Sequence, residues 1–386
     1  MAEKKQAQQT NVESTFKPTP EQPVDYKAVT DNVAAQFSMV QIIDKDGNVV
    51  NEDIMPDLSD EQLVDLMDRM VFSRTLHEET TKFSKQGRLG FYGPTLGQEA
   101  SQMASAYVIE EDDWLYGGYR DIPVLISHGG TIAQGFLWSK GHVAGGTYGE
   151  DGNVKAMVPQ IIIGAQYVQA TGNAVGQKLN GSKNVTFTYT GDGGTSQGDF
   201  YEGLNFAGRY NAPLVAIVQN NGYAISTPRE KATNAPTLAQ KSAAAGIPGV
   251  QVDGMDALAV YVVTKQAREW AAAGNGPVLI ESVTSRMGPH STAGDDPSRY
   301  RDQESYDYWD ERDPLKRFRI FLEGKGLWTE EHEEEIKEEF KEQISAGIKE
   351  AESEPEMTIS ESLKWMYEDP TSNIEEQIEY YESKGE

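Results

Sequence analysis

A regular alternation of apolar and amphipathic segments between residues 185 and 284 constrains the fold of this chain more than any other feature. The apolar runs, which are typical of strands, lie at 185–190, 214–219, 249–252 and 277–284. The runs with helical periodicity lie between them, at 197–209, 237–245 and 256–273. This order predicts an α/β fold with a doubly wound, mainly parallel sheet. Ligands of such sheets bind beyond the carboxyl ends of the strands.

The segments on either side of this array differ from it in composition, and we predict three regions. Residues 1–58 form a polar N-terminal arm that includes a hairpin, and residues 59–312 form the α/β domain. Residues 313–386 form an acidic helical extension, in which apolar residues recur every fourth position from Ile336 to Ile348. The sheet is therefore expected to carry helical N- and C-terminal extensions.

The charge balance and the lack of cysteine exclude several classes of function. The chain has 34 Lys and Arg against 61 Asp and Glu, a net charge of −27. This acidity argues against binding to nucleic acid or to an anionic membrane surface. The absence of cysteine excludes disulfides, thiolate metal sites and a cysteine nucleophile. With no signal peptide and no apolar run long enough to span a membrane, we expect a cytoplasmic protein.

A glycine-rich loop, Gly191-Asp192-Gly193-Gly194, follows the first strand of the array. It does not match the dinucleotide fingerprint, because Ser196 stands where the third glycine is required. This mismatch disfavours a nicotinamide-dependent dehydrogenase, and the chain has no nucleotide P-loop motif either. The remaining pattern is a strand, a loop and a helix whose free backbone amides can hold a diphosphate.

A second polar turn, Asn220-Asn221-Gly222, follows the next strand about thirty residues later. The carboxylate of Asp192, an amide oxygen and a backbone carbonyl would converge at two adjacent strand ends. These are the hard oxygen ligands that Mg²⁺ prefers, and Mg²⁺ commonly bridges to phosphates. The alternative is that both segments are ordinary turns that join strands to helices.

This pair of motifs is typical of enzymes that bind thiamin diphosphate. Over nearly its whole length the chain resembles the alpha subunits of heterotetrameric 2-oxo acid dehydrogenases, which implies a thiamin-diphosphate-binding fold. The stretches that carry the resemblance, in chain order, are 87–101, 118–129, 159–167, 188–208, 219–228 and 288–301.

The resemblance implies roles for the residues of the two motifs. Asp192, the Asn221 side chain and the Tyr223 carbonyl would bind Mg²⁺. The backbone amides of Gly193 and Gly194 would meet the diphosphate.

The resemblance also implies cofactor contacts from earlier in the chain. Tyr119 and Arg120 match the pair that grips the terminal phosphate, a task that suits the forked guanidinium. The alternative for Arg120 is an ion pair with an acidic neighbour such as Asp121. Ile161 and Ile163 match positions whose backbone groups hold the aminopyrimidine ring.

His290 matches a catalytic family histidine that lies near the cofactor, where an imidazole could bind phosphate or guide a proton. Asp199 and Glu202, near the start of the helix after the glycine-rich loop, would stabilise the positive end of that helix. The resemblance also implies that these acidic side chains line a path between two active sites. One departure concerns substrate handling, since Ala144 replaces the second histidine of an H-x-H-G motif that begins here with His142.

The implied function is thiamin-diphosphate-dependent oxidative decarboxylation of a small 2-oxo acid, with acyl transfer to a lipoyl group of a dihydrolipoyl acyltransferase core. The glutamate that activates the cofactor would come from a separate beta subunit, so we expect an α₂β₂ heterotetramer and no activity from this chain alone. Gln219 favours pyruvate, because branched-chain relatives carry arginine there. Branched-chain oxo acids and acetoin remain alternatives, as does a non-catalytic binding relative.

Overall fold

The computed structural model of the chain describes residues 33, 35–149 and 151–385. The chain divides into two units, residues 1–36 and residues 37–386. Of the first unit only residues 33, 35 and 36 are described, so most of the predicted N-terminal arm lies outside the described residues. The second unit contains the sheet and the helices around it.

Seven parallel strands form the main sheet. The described residues contain nine strands in all, of which seven belong to this sheet. In chain order they are β1 (Met39–Val40), β2 (Trp114–Gly118), β3 (Ala156–Gln160), β4 (Thr186–Gly191), β5 (Leu214–Asn220), β6 (Tyr223–Ala224), β7 (Thr227–Pro228), β8 (Gly249–Asp253) and β9 (Val278–Val283). The order across the sheet is β1-β8-β9-β5-β4-β2-β3, and every neighbouring pair is parallel. Strands β6 and β7 form a separate antiparallel ribbon. The predicted α/β fold is confirmed.

Helices cover both faces of this sheet and continue to the C-terminal end of the described residues. In chain order they are α1 (Asp60–Lys85), α2 (Glu99–Ala106), α3 (Ile122–Ser127), α4 (Ile132–Lys140), α5 (Gln166–Leu179), α6 (Gly198–Tyr210), α7 (Arg229–Ala232), α8 (Ser242–Ala245), α9 (Ala257–Ala272), α10 (Gln303–Asp310), α11 (Pro314–Gly324), α12 (Glu330–Ser353), α13 (Ile359–Lys364) and α14 (Ser372–Glu382). None of the described helices is both long and apolar enough to cross a lipid bilayer.

Alternate residues of the central strands enter two separate cores. Phe187 and Ile217 belong to the larger core, which includes residues of α1, α2, α9 and α11. Ala216 and Val218 belong to the core on the other face, with residues of α5 and α6. Both faces of β4 and β5 are covered, which favours the β-branched, aromatic and apolar residues at 186–189 and 214–218 that made these strands recognisable in the sequence.

Some elements differ from the predicted ones. The four strands of the central array are confirmed to within about two residues, a normal margin for element ends. The predicted helix at 237–245 is instead a 3₁₀ turn, Ala239–Lys241, followed by the short α8. The periodicity did not predict β2, which ends in two glycines, or β3, an edge strand that contains Pro159.

The apolar stripe predicted near the C-terminus packs on the α/β domain. Ile336, Ile344 and Ile348 of α12 are buried. Phe340 of the same stripe meets Phe72 of α1 edge to face, with ring centroids 5.3 Å apart. Burial of one face while the other remains acidic explains the pattern of this helix.

Helices α5 and α6 cross closely beneath the loop that follows β4, and Gly203 makes this crossing possible. A Cβ atom at Gly203 would lie 2.9 Å from the carbonyl carbon of Tyr167 and 3.0 Å from its oxygen. The Thr171 hydroxyl donates a hydrogen bond to the Gly203 carbonyl (3.0 Å) at the same crossing. The start of α6 is therefore held close to α5.

We predict that Gly203→Ala lowers the free energy of unfolding of the full chain by about 1–3 kcal/mol, because backbone must move to admit the methyl group. Gly172→Ala on the exposed face of α5 is the matched control, since a Cβ atom added there would have no neighbouring atom within 4 Å. That change should raise stability by about 0.5–1 kcal/mol through helix propensity. Urea unfolding of both variants tests the crossing, and equal effects would contradict it.

Candidate active site

A cavity lies where the carboxyl ends of β2, β4, β5 and β9 meet, as expected for a doubly wound sheet. Eight of the predicted site residues line it: Tyr119, Arg120, Ile163, Asp192, Gly193, Asn221, Tyr223 and His290. The fold therefore brings together residues that are up to 171 positions apart in the sequence, from Tyr119 to His290.

Two predicted residues do not line this cavity. Ile161 is 61% exposed and lies beside a separate cleft with Phe91 and Trp138. Gly194 is buried behind the glycine-rich loop, where an added Cβ would meet the hydroxyl of Thr190 at 2.1 Å. Glycine at this position lets the 3₁₀ turn Asp192–Ser196 pack directly on the end of β4.

The carboxylate of Asp192 is buried and has no hydrogen-bond partner on either oxygen. Burial raises the pKa of Asp192 to about 6. Backbone N–H groups of Asp192 and Asn221 oppose this increase only in part, and neither has the geometry of a hydrogen bond. A buried carboxylate without a partner is costly, so this position requires a bound cation or a proton.

Asn221 and Tyr223, the other predicted ligands of the cation, line the same cavity as Asp192. The Asn221 carboxamide is buried, with its Nδ2 group donating to Gln98 Oε1 (3.3 Å). The Tyr223 N–H donates to Asn221 Oδ1 at 3.2 Å, which leaves a lone pair of that oxygen for a further contact.

This donor set fits Mg²⁺. Among the described residues no three His, Asp or Glu side chains are grouped to hold a metal ion. Mg²⁺ does not need such a group, because it binds through one or two carboxylates and keeps water or phosphate oxygens as its other ligands. The partnerless carboxylate of Asp192 beside an amide oxygen matches that requirement.

Two buried arginines, Arg120 and Arg286, line the same cavity. Arg120 donates to the carbonyls of Pro94 and His290, and Arg286 donates to the carbonyl of Ile225 and the hydroxyl of Tyr300. Within the described part of the chain neither guanidinium forms an ion pair with a carboxylate. The two unneutralised charges therefore suit an anion such as a diphosphate.

The alternative pairing of Arg120 with Asp121 is not formed. The Asp121 carboxylate instead accepts from the Gly118 N–H (2.8 Å) and from the side-chain amides of Gln219 (2.5 Å) and Gln102 (3.2 Å). Burial raises the pKa of Asp121 to about 6, and these hydrogen bonds limit the increase. At pH 7.5 its carboxyl group is therefore mostly ionised.

His290 lies between the arginines and an aromatic ring. Its Nδ1 is 3.3 Å from Arg120 Nη2, and its ring meets Tyr119 edge to face. Burial, then the charges of Arg120 and Arg286, lower the pKa of His290 to about 4. The imidazole is therefore neutral at pH 7, and since Nδ1 faces a guanidinium donor, we assign the proton to Nε2.

The turn after Asn221 contains a strained residue. Ile225 adopts φ of 57°, a left-handed conformation that a β-branched side chain rarely takes. Its carbonyl accepts a hydrogen bond from Arg286 at 2.8 Å, and the residue lines the cavity. Strain of this kind concentrates at functional sites, where the surrounding contacts hold it.

Several lining residues were not predicted from the sequence. Arg286 was detectable as a cation three positions beyond β9 and two positions before Gly288 of the Gly-Pro-His segment. Gln98, Gln166 and Thr190 gave no comparable signal, because their roles depend on contacts distant in sequence. His142 lies outside the cavity, where its Nε2 contacts the Pro355 carbonyl (3.0 Å).

Comparisons with known proteins show the family to which the chain is similar. The model of the family described as "Dehydrogenase E1 component" matches residues 67–360. The protein named pyruvate dehydrogenase E1 component subunit alpha of Staphylococcus aureus strain Mu50 is 55% identical over 360 residues, which cover 93% of this chain and 97% of that protein. The protein of the same name from Staphylococcus epidermidis strain RP62A is 54% identical over the same shares of both chains.

We predict that Asp192→Asn stabilises the cofactor-free full chain at pH 8 by about 2–3 kcal/mol, because it removes a buried charge. The raised pKa means that the folded state favours the protonated carboxyl group. The stability of the unmodified chain should thus fall as pH rises from about 4 to 6, and the advantage of the variant should vanish near pH 4. Urea unfolding at both pH values measures this.

Asp199→Asn is the control, because Asp199 lies in the first turn of α6 and favours that helix. It should be neutral or slightly destabilising at both pH values. An Asp192→Asn variant that is no more stable than the unmodified chain at pH 8 would contradict the assignment of a partnerless charge.

Proposed function

The chain belongs to the dehydrogenase E1 component family, and from this premise we propose that it is the alpha subunit of a pyruvate dehydrogenase. Its activity is the thiamin-diphosphate-dependent oxidative decarboxylation of pyruvate, with transfer of the acetyl group to a lipoyl group. The observation that carries the proposal is one cavity in which a partnerless carboxylate, Asp192, lies near two unneutralised arginines, Arg120 and Arg286. This arrangement suits a divalent cation bound to a diphosphate.

The residues of this cavity divide the cofactor between them. Asp192, the Asn221 side chain and the Tyr223 carbonyl hold Mg²⁺, and the backbone of Gly193 and Gly194 meets the diphosphate. Tyr119 and Arg120 bind the terminal phosphate, where the forked guanidinium can contact two oxygens together. Ile163, which lines the cavity, holds the aminopyrimidine ring through backbone groups. Ile161, whose side chain lies beside the separate cleft, contributes to this contact only through its backbone.

When bound, thiamin diphosphate supplies the nucleophilic carbon and the electron sink that decarboxylation of a 2-oxo acid needs. The protein supplies position and electrostatics. Arg286 adds a second fixed positive charge without moving, since its own hydrogen bonds to Ile225 and Tyr300 hold it in place. His290 acts as a neutral donor through Nε2–H, the nitrogen that does not face Arg120.

The site is only half of an active site. The seven-stranded sheet is the one large sheet among the described residues, and the cavity lies at the carboxyl ends of its strands. The similar proteins are named as alpha subunits. We therefore propose a beta subunit that completes the site within an α₂β₂ heterotetramer, and a lipoyl-bearing dihydrolipoyl acetyltransferase core that accepts the acetyl group.

The proposal also covers the arrangement of the chain. Residues 59–312 form the cofactor-binding domain, residues 1–58 an N-terminal arm, and residues 313–386 a helical extension. A cytoplasmic location completes the proposal, and cell fractionation tests it.

We predict that Asp192→Ala and Asn221→Ala each weaken Mg²⁺-dependent binding of thiamin diphosphate at least about tenfold, which corresponds to about 1.4 kcal/mol. Each change removes one oxygen ligand of the cation. Calorimetric titration of the chain purified with its beta subunit measures the affinity, and Asp199→Ala serves as the control outside the cavity. Unchanged affinity in both site variants would refute the metal assignment.

We predict that the chain purified without its beta subunit does not decarboxylate pyruvate when Mg²⁺ and thiamin diphosphate are added. Activity should appear on addition of the beta subunit, because the second half of the site comes from that chain. Assays with pyruvate, branched-chain oxo acids and acetoin then establish the substrate class. Full activity from the lone chain would show that the site is complete without a partner.

A further inference from the structure

Two buried side chains, Gln98 and Gln219, connect the side chain of the proposed cation ligand Asn221 to the carboxylate of Asp121. Asn221 Nδ2 donates to Gln98 Oε1 at 3.3 Å, and Gln98 Nε2 donates to Gln219 Oε1 at 2.8 Å. Gln219 Nε2 in turn donates to Asp121 Oδ1 at 2.5 Å. All four residues are at least 90% buried. The result is a continuous amide chain, from Asn221 through Gln98 and Gln219 to Asp121, with every donor pointing the same way.

The three amides could by themselves form this chain in either direction. A carboxamide has a donor and an acceptor at its end with nearly the same shape, so reversing all three would preserve the hydrogen bonds between them. An ionised carboxylate has no donor and can occupy only the accepting end. Asp121 therefore fixes the direction at the far end of the amide chain, and the Tyr223 N–H, which donates to Asn221 Oδ1 at 3.2 Å, favours the same direction at the near end.

The surroundings of Asp121 hold the carboxylate in this accepting role. Its Oδ2 accepts from the backbone N–H of Gly118 at 2.8 Å, and Oδ1 also accepts from Gln102 Nε2 at 3.2 Å. The Gly118 N–H cannot reverse, because it belongs to the end of β2. Both carboxylate oxygens thus face donors, and the segment that carries Arg120 fixes the far end of the amide chain.

We propose that Asp121 is a positioning residue that sets the direction of the amide chain and so turns the Asn221 oxygen towards the cation. With Nδ2 committed to Gln98, only Oδ1 of Asn221 remains to ligate Mg²⁺. In the reversed chain Asn221 would present its NH₂ group to the cation, which repels it. This inference rests on the proposed function and assigns a role to Asp121, Gln98 and Gln219 that their position in the sequence does not reveal.

The test uses the chain purified with its beta subunit and calorimetric titration of Mg²⁺ at saturating thiamin diphosphate. Asp121→Asn should weaken Mg²⁺ binding by about 10–100-fold, the usual range for a residue that orients a metal ligand. Gln98→Met breaks the amide chain while Asp121 is unchanged, and it should cause a loss in the same range.

The double variant Asp121→Asn with Gln219→Glu tests whether Mg²⁺ affinity depends on the direction of the hydrogen bonds in the amide chain or on a negative charge at position 121. The glutamate at position 219 can only accept, so it takes the hydrogen bond from Gln98 Nε2 and restores the original direction towards Asn221. The asparagine at position 121 then donates to it and still accepts from the Gly118 N–H. This variant should recover at least half of the lost affinity on a logarithmic scale.

Asp256→Asn is the matched control for the loss of a buried carboxylate. Asp256 accepts from the N–H groups of Ile42 and Ile43, away from the cavity. This variant should change stability and leave Mg²⁺ affinity unaltered.

Each outcome supports or overturns one statement. A wild-type pair that binds no Mg²⁺ with thiamin diphosphate refutes the proposed function itself. Wild-type Mg²⁺ affinity in both Asp121→Asn and Gln98→Met overturns the positioning role of Asp121 and leaves the proposed function intact. A double variant that binds Mg²⁺ as weakly as Asp121→Asn does the same. If Asp121→Asn does not fold, Gln98→Met and the double variant test the proposal instead. Weaker Mg²⁺ binding by Gln98→Met together with Mg²⁺ binding by the double variant supports the positioning role of Asp121.

Discussion

The buried, unpartnered carboxylate of Asp192 is the constraint on which the rest of the site depends. Asp192 is buried at the end of β4 without a hydrogen bond to either oxygen, and the same cavity is lined by two buried arginines, Arg120 and Arg286, that form no ion pair with a carboxylate among the described residues. Charges in such surroundings cost free energy unless a partner of opposite sign arrives. A divalent cation with a diphosphate would satisfy both sides together, because the cation would meet the carboxylate and the phosphates would meet the arginines. Binding would then relieve a cost built into the free chain, and stability and cofactor affinity would be linked.

The segments packed around Asp192 keep its carboxylate buried and away from solvent. Gly194 packs against the side chain of Thr190, and the buried Lys241 donates to both the carbonyl and the hydroxyl of Thr195 at 3.0 Å. The close crossing at Gly203 then holds the start of α6 below the loop. A loop fixed at three points cannot relax to hydrate its carboxylate. Preorganisation of this kind lets a site bind charge without the cost of rearrangement.

Sequence patterns predicted those parts of the structure that depend on local order. The strands β4, β5, β8 and β9 were recognisable from β-branched and apolar residues in short runs between helical segments. The two turns that contain Asp192 and Asn221 followed from motifs at strand ends, and the other site residues followed from the resemblance to a known family. The edge strand β3 carries no such signal, since Met157 and Val158 are exposed and Pro159 interrupts the pattern. Asp121 was weighed only as an ion-pair partner of Arg120. Its actual partners, Gln219 and Gln102, are 98 and 19 positions away, and periodicity contains no information on contacts of that kind.

Exposed apolar residues beside the charged cavity favour a site that a second subunit completes. Ile161 and Ile162 are 61% and 73% exposed, next to Ile163, which lines the cavity. Apolar side chains exposed beside a charged crevice suit a surface that a second subunit covers. Covering it would remove water from the crevice, and each interaction of Asp192, Arg120 and Arg286 with a bound diphosphate would strengthen as the local dielectric constant falls. The charges that make the free chain costly would then act at full strength only after assembly, which couples catalysis to the presence of the partner.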